Sequence, residues 1–190
     1  MKVALVTGAN TGIGLAIAQR LLADGYTVGY ATAGTDDKHR GPLEALQKQY
    51  GEDRVIWVHG DLSDPATPKQ LIDPLPRIDV LVNNAGLSTA KPFLELTADD
   101  FDTTFNVDVR ASFLLAQEAA RKMPPEGGSI INITSVHEHI ARPGFAVYAA
   151  AKAALGMLSK AMALELADRN IRVNSVAPGV IATPRNEDDA

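Results

Sequence analysis

Short β-branched runs alternate with helix-spaced apolar residues along the whole chain. Strands are predicted at Lys2–Val6, Thr27–Ala31, Arg54–His59, Asp79–Val82, Ser129–Thr134 and Arg172–Val176. Several carry apolar residues on both faces, as strands covered on two sides should. Between them, Ile13, Ala16, Ile17 and Leu21 recur at helical spacing over Ile13–Asp24, and Gly25 follows as a stop. Thr97 with Asp100 predicts an N-terminal cap for a helix running through Phe101–Lys122. Tyr148–Ala167, rich in Ala, Leu and Met, predicts another. Asp73-Pro74-Leu75-Pro76 reads as a tight loop that shortens whatever helix precedes the Asp79 strand. Repeated strand–helix–strand units imply a parallel sheet with right-handed crossovers, hence an α/β, doubly wound, Rossmann-like fold.

Composition narrows the partners. A chain of 190 residues without internal repeat, low-complexity tract or linker is one domain, large enough for a full core. Its 46% apolar content and mean hydropathy of −0.02 describe a globular protein. A net charge of −5 lacks the basic stripe that nucleic acid requires. The acidic run Glu187-Asp188-Asp189 reads as solvated chain end. Without cysteine, disulfides and thiol catalysis are excluded, which fits a cytoplasmic setting. Val3–Val6 breaks at Thr7-Gly8, too short for a signal peptide or a membrane span, so no membrane partner is expected.

The candidate chemistry begins with Tyr148 and Lys152, four residues apart and so on one helical face, with Ser135 thirteen residues upstream of the tyrosine. A phenol exchanges protons poorly at neutral pH unless a cation stabilises its phenolate. Lys152 can supply that charge while Ser135 holds the substrate oxygen. Upstream, Thr7-Gly8-Ala9-Asn10-Thr11-Gly12-Ile13-Gly14 joins the first strand to the first helix. Glycines there let backbone approach a pyrophosphate, and the helix N-terminus offers unpaired N–H groups. Asp61-Leu62 follows the third strand and Asn83-Asn84-Ala85-Gly86 the fourth, both at strand carboxyl ends where open α/β sheets bind ligands. Asn83 and Asn84 read as braces of the crevice. At the end of the second strand, Ala31-Thr32-Ala33-Gly34-Thr35 carries neither the acid expected for NAD nor the arginine expected for NADP. The Thr32 hydroxyl, Lys38 and Arg40 can serve a phosphate, whereas Asp36 and Asp37 repel it; the cofactor stays NAD or NADP.

Together, Thr7–Gly14, Asp61, Asn83–Gly86, Ser135, Tyr148-x-x-x-Lys152 and Pro178-Gly179…Thr183 resemble the short-chain dehydrogenase/reductase family over nearly the whole chain. The resemblance implies a twisted seven-stranded sheet, a nicotinamide cofactor and frequently a tetramer. It implies Tyr148 as acid/base, Ser135 as the group orienting the carbonyl or alcohol, and Lys152 on the nicotinamide ribose. Thr183 meets the carboxamide, and Pro178, Gly179 and Ile181 flank it against the cofactor. Two departures stand out. Asp108 occupies the position where the family usually has an Asn that holds a water in the proton relay, and it is expected to tune that relay rather than break it. The chain also stops at Ala190, before the family's substrate lid and seventh strand, so residues 1–190 are expected to be a single dinucleotide-binding catalytic domain that is C-terminally short.

For substrate, Ser135-Val136-His137-Glu138-His139 is similar to the Ser-Val-His-Glu stretch of glucose 1-dehydrogenase members, with His137 and Glu138 placed to bond sugar hydroxyls. The leading expectation is therefore an NAD(P)-dependent oxidoreductase interconverting an alcohol and a carbonyl, a glucose-like sugar 1-dehydrogenase first. A 3-oxoacyl-thioester or general carbonyl reductase comes next, and a catalytically silent dinucleotide-binding sensor is the rival from another class. His137 and His139 lack further ligands nearby, so no metal is expected. Met157, Met162 and Trp57 read as core, and the Ala/Leu/Met helix as a contact in a homotetramer or homodimer.

Overall fold

The computed structural model describes residues 1–184. The acidic run Glu187-Asp188-Asp189 lies outside the described residues. Among those described, six parallel strands form one sheet: β1 (Val3–Thr7), β2 (Thr27–Thr32), β3 (Val55–His59), β4 (Val80–Asn83), β5 (Gly128–Ile133) and β6 (Ile171–Val176). Their order is β3-β2-β1-β4-β5-β6. The chain winds outward from β1 to β3, then returns to the other side of β1 and winds outward again. That reversal between β1 and β4 opens a crevice at the strand carboxyl ends.

Period-two alternation explains the two-sided core. Val3 and Leu5 of β1 join one cluster with Leu71, Leu115, Ala119 and Met162, while Ala4 and Val6 join another with Ala18, Leu22, Leu43 and Leu46. Each fully buried Leu or Ile contributes about 1.5–3 kcal/mol. At the entry to β4, Asp79 is nearly buried; its carboxylate accepts the Val3 N–H at 2.7 Å and two Arg77 N–H bonds at 2.6 and 3.0 Å. This ties the starts of β1 and β4 together.

The helices are α1 (Gly12–Ala23), α2 (Asp37–Tyr50), α3 (Thr67–Ile72), α4 (Ala98–Phe105), α5 (Ala111–Lys122) and α6 (Ala146–Glu165). Periodicity does not announce α2, which buries only His39, Leu43 and Leu46 of fourteen residues and carries Pro42. The helix expected over Phe101–Lys122 is divided: α4 and α5 are joined by one π turn, Asn106–Arg110, whose buried residue is Asp108. A π turn is one extra residue in the helical ladder, often at a functional site, and no apolar period signals it. The capping box is present, with Asp100 N–H donating to Thr97 Oγ1 at 3.1 Å and Thr97 N–H donating to Asp100 Oδ2 at 2.8 Å.

By length and composition α6 is apolar enough to cross a bilayer. In this fold it covers β5 and β6 instead, and it buries Lys152 and Ser159 among its apolar residues. Met162 is core as expected, but Met157 is 63% exposed, because it lies on the α6 face turned from the sheet. Trp57 is half-buried, packs on the second cluster and donates its indole N–H to Thr32 Oγ1 at 3.0 Å.

Candidate active site

The turn between β1 and α1 is built for close approach. Gly8 (φ 64°) and Gly12 (φ 52°) adopt left-handed backbone conformations that favour glycine. Thr11 stands at the N-cap of α1 without a side-chain cap bond, and no acid occupies the first turn. The helix's leading N–H groups and positive end are therefore left for an anion. Gly8, Asn10, Thr11, Gly12 and Ile13 line a cleft of about 810 Å³. Gly14 does not. A Cβ there would sit 2.1 Å from the Gly8 carbonyl oxygen, so this glycine packs helix on strand instead of touching a ligand.

Across the crevice, Thr7 Oγ1 accepts the N–H groups of Asn84 and Ala85, each at 3.0 Å, and Asn84 Nδ2 donates to the carbonyls of Thr7 at 2.9 Å and Gly8 at 3.3 Å. The β1 and β4 termini thus form one rigid floor. Asn83 lies behind it, fully within the fold, donating to Asn132 Oδ1 at 2.9 Å; Asn132 donates on to Ser159 Oγ at 2.8 Å. Asp61, Leu62, Ala85 and Gly86 line the cleft, as do Pro178, Gly179, Ile181 and Thr183. Asp61 also makes a turn: it accepts the Ser63 N–H at 2.8 Å, and that hydrogen bond holds its carboxyl below the usual carboxylate range. Asn10–Ile13, Asn84–Gly86 and Thr183 line the same cleft, with Thr183 so close to the glycine turn that a Cβ on Gly12 would meet its Cγ2 at 3.1 Å, and together they fit a dinucleotide.

Ser135, Tyr148 and Lys152 line this same cleft. Lys152, on α6, is 4% exposed; its Nζ lies 5.5 Å from the Tyr148 ring centroid and 3.0 Å from Asp108 Oδ2, and donates to the Ile133 carbonyl at 3.3 Å. The ammonium donates one hydrogen bond inside the protein, to the Ile133 carbonyl, and stands in ion-pair contact with Asp108, which leaves N–H directions for a ligand. A mid-helix lysine on a solvated face is therefore not what the structure contains. Asp108 itself is wholly buried behind Lys152, outside the cleft, and its Oδ1 accepts the Leu87 N–H at 2.7 Å. A Cβ on Gly86 would meet Lys152 Nζ at 2.9 Å and Asp108 Oδ2 at 3.0 Å, so glycine there makes room for the ion pair. Ser135 Oγ accepts the His137 N–H at 3.2 Å, and its own proton remains available to a substrate oxygen.

The two expected sugar contacts part company. His137 lines the cleft beside Phe145 and Tyr148, with Nδ1 bonded to the Ile140 carbonyl at 2.9 Å. Glu138 does not line it. Its carboxylate turns over α6, where a Cβ on Gly156 would meet Oε2 at 2.9 Å, and it pairs with His139 at 2.7 Å. One residue further round the 3₁₀ turn Val136–Glu138 points a side chain elsewhere, which sequence spacing alone does not reveal.

At the second-strand terminus, Thr32 lines the cleft, whereas Lys38 and Arg40 do not. Asp36 is paired with His39 and, at 3.6 Å, with Lys38, so it is less repulsive to phosphate than its sequence position suggests. His39 lines the cleft. Neither it nor the buried Asn83–Asn132–Ser159 chain is conspicuous in the sequence: a lone histidine in a polar helix and scattered amides carry no pattern. Among the described residues no group of three or more His, Asp or Glu side chains is placed to hold a metal.

The sequence profile of the family described as short chain dehydrogenase matches residues 2–190. The chain is 43% identical over 189 residues to "uncharacterized oxidoreductase YohF" of Escherichia coli (strain K12), covering 97% of this chain and 75% of that protein. With carbonyl reductase (NADPH) 2 of Sus scrofa it shares 38% identity over 182 residues, 95% of this chain and 72% of the relative. Among solved structures, acetoin dehydrogenase YohF from Salmonella typhimurium superposes with a TM-score of 0.89 at 45% identity, covering 98% of this chain and 75% of that one.

Proposed function

This chain belongs to the short chain dehydrogenase family and is an NAD(P)-dependent oxidoreductase, and from that premise we propose that it interconverts a small carbonyl compound and its alcohol through Ser135, Tyr148 and Lys152. Bound in the cleft, the nicotinamide supplies or takes the hydride. The protein's own work is at the oxygen. Ser135 Oγ–H donates to the substrate carbonyl, and Tyr148 passes its phenolic proton to the same oxygen as the carbonyl carbon is reduced. The phenolate left behind is stabilised by the Lys152 ammonium, which Asp108 and the Ile133 carbonyl hold in place. In the direction of oxidation, the alcohol proton returns to Tyr148. Asp108 is a positioning residue, since it reaches the cleft only through Lys152.

The observation that carries this reading is that Ser135, Tyr148 and buried Lys152 line the same cleft as the glycine turn. Replacing Tyr148 by Phe tests it: turnover should fall by about 10²–10⁴-fold while NADPH affinity, read by fluorescence titration, stays within a factor of about two. Retained turnover in that variant would remove Tyr148 as the acid/base, and a wild type that binds NADPH without turning over any carbonyl would favour a silent dinucleotide-binding sensor.

For substrate, the reading is a small α-hydroxyketone or α-diketone, the class named in relatives called acetoin dehydrogenase at 45% and 46% identity. Phe145, Val136, His137 and Arg142, whose guanidinium lies 4.9 Å from the Phe145 ring centroid, line the cleft with Tyr148, a mixed apolar and polar lining that suits a compact ketone carrying a second oxygen. A glucose-like sugar needs several hydroxyls satisfied together, and Glu138 is not there to do it. Initial rates with acetoin, diacetyl, glucose and a 3-oxoacyl thioester, each with both nicotinamides, decide the matter. Diacetyl reduction should exceed glucose oxidation by at least about tenfold; the reverse ranking restores the sugar 1-dehydrogenase. Residues 1–190 acting as one catalytic domain, assembly as a homodimer or homotetramer, and a cytoplasmic location complete the proposal.

A further inference from the structure

The end of β2 leaves the nicotinamide type to neighbouring groups, and the fold brings there one that the strand does not carry. In a doubly wound sheet this strand end faces the adenosine ribose, where an acid chelates the hydroxyls of NAD and a cation takes the 2′-phosphate of NADP. Thr32 is already committed: its hydroxyl donates to the Gly34 carbonyl at 2.8 Å and accepts the Trp57 indole N–H at 3.0 Å. Arg40 donates to the Thr35 carbonyl at 2.9 Å and lies over the Trp57 ring, 5.4 Å from its centroid. Lys38 pairs with Asp36. Both cations stand outside the cleft lining, and so does Asp36.

His39 is different. It is 8% exposed, lines the cleft, and stands against the strand end so closely that a Cβ on Gly34 would lie 3.0 Å from its Cε1. Its Nδ1 is paired with the Asp36 carboxylate. With Nδ1 so committed, Nε2 is the ring nitrogen left for a ligand. Asp36 is itself held below the usual carboxylate range: desolvation pushes it up, but the hydrogen bond and charge of His39 together with Lys38 outweigh that.

We propose that His39, fixed by Asp36, is the specificity residue that selects the 2′-phosphorylated dinucleotide, with its uncommitted Nε2 as the contact to the 2′-phosphate. The proposal rests on the dinucleotide reading of the cleft and adds a residue-level reason for choosing NADP over NAD. Its position explains why the acid-or-arginine rule found nothing in Ala31–Thr35. The selecting group comes from the first turn of α2, the helix after the strand, and stands back against the strand end.

Binding of two fragments separates the outcomes without any turnover: ADP, which lacks the 2′-phosphate, and 2′,5′-ADP, which carries it, each titrated calorimetrically against the whole chain. Wild type should bind 2′,5′-ADP at least about tenfold more tightly than ADP. His39→Gln, which keeps a polar side chain but not the ring nitrogen held in place by Asp36, should erase most of that ratio while ADP affinity stays unchanged. Asp36→Asn should lower the ratio in the same direction with His39 still in place. A wild-type ratio near one, an unchanged ratio in His39→Gln, or equal weakening of both ligands would overturn the inference. If neither fragment binds wild type, the dinucleotide reading falls and this inference with it.

Discussion

Lys152 places a charged ammonium at 4% exposure against a carboxylate, Asp108, at 0%. Such a pair is costly to desolvate, so it contributes little net stability, yet removing one partner strands the other. Asp108→Leu should therefore destabilise the fold by about 3–5 kcal/mol, and Lys152→Met should also cost stability. The double variant should recover most of that loss, a coupling that urea midpoints at constant m-value will read; additive losses would show the two groups to be independent. Gly14 makes a simpler case. A methyl group placed 2.1 Å from the Gly8 carbonyl forces α1 off β1, so Gly14→Ala should cost at least about 1–3 kcal/mol and weaken nucleotide binding together. At this scale the Tyr148–Lys152 pair and the glycine turn could be read from spacing. Asp108's contact with Lys152 could not, since forty-four residues and a π turn separate them in the chain.

Elements are set by local chemistry where the signal is strong. The capping box at Thr97–Asp100 starts α4 as anticipated, and Lys91 adds a 2.7 Å bond to the same carboxylate. That bond, with the Thr97 N–H and hydroxyl, lowers the Asp100 pKa to about 2. Because the folded value lies below the ordinary one of about 4, the box stabilises fully above pH 4 and loses its contribution as pH falls through about 2. Thr97→Ala should lower stability by about 1 kcal/mol at neutral pH, seen as a reduced urea midpoint. An acid titration should show Asp100→Asn and wild type converging near pH 2; a stability gap persisting there would contradict this account. Helix α2 shows the opposite case. Its apolar face holds only Leu43 and Leu46 beside His39, so it exists because β2 and β3 offer a surface to cover, which no local period announces.

On the scale of the whole molecule, β6 borders the described sheet on one side only, and large apolar side chains stand exposed nearby: Met157 at 63% and Leu164 at 82% lie two turns apart on one face of α6. Exposed large apolar side chains on one helix face favour association. Sedimentation velocity should find a dimer or larger species that Met157→Glu with Leu164→Glu shifts toward monomer, with turnover per protomer measured alongside. The doubly wound parallel sheet, the two-sided core and the place of the cleft follow from patterns that the sequence carries openly. Alternating apolar residues fix which strands are buried on both faces, and glycines fix where backbone must approach a ligand. Four features needed the folded chain: His39 against the end of β2, Asp108 behind Lys152, Glu138 turned away from the cleft, and the amide chain from Asn83 to Ser159. Each depends on which side chains from distant segments are pressed together, and local preference has no knowledge of a neighbour that arrives only when the sheet closes.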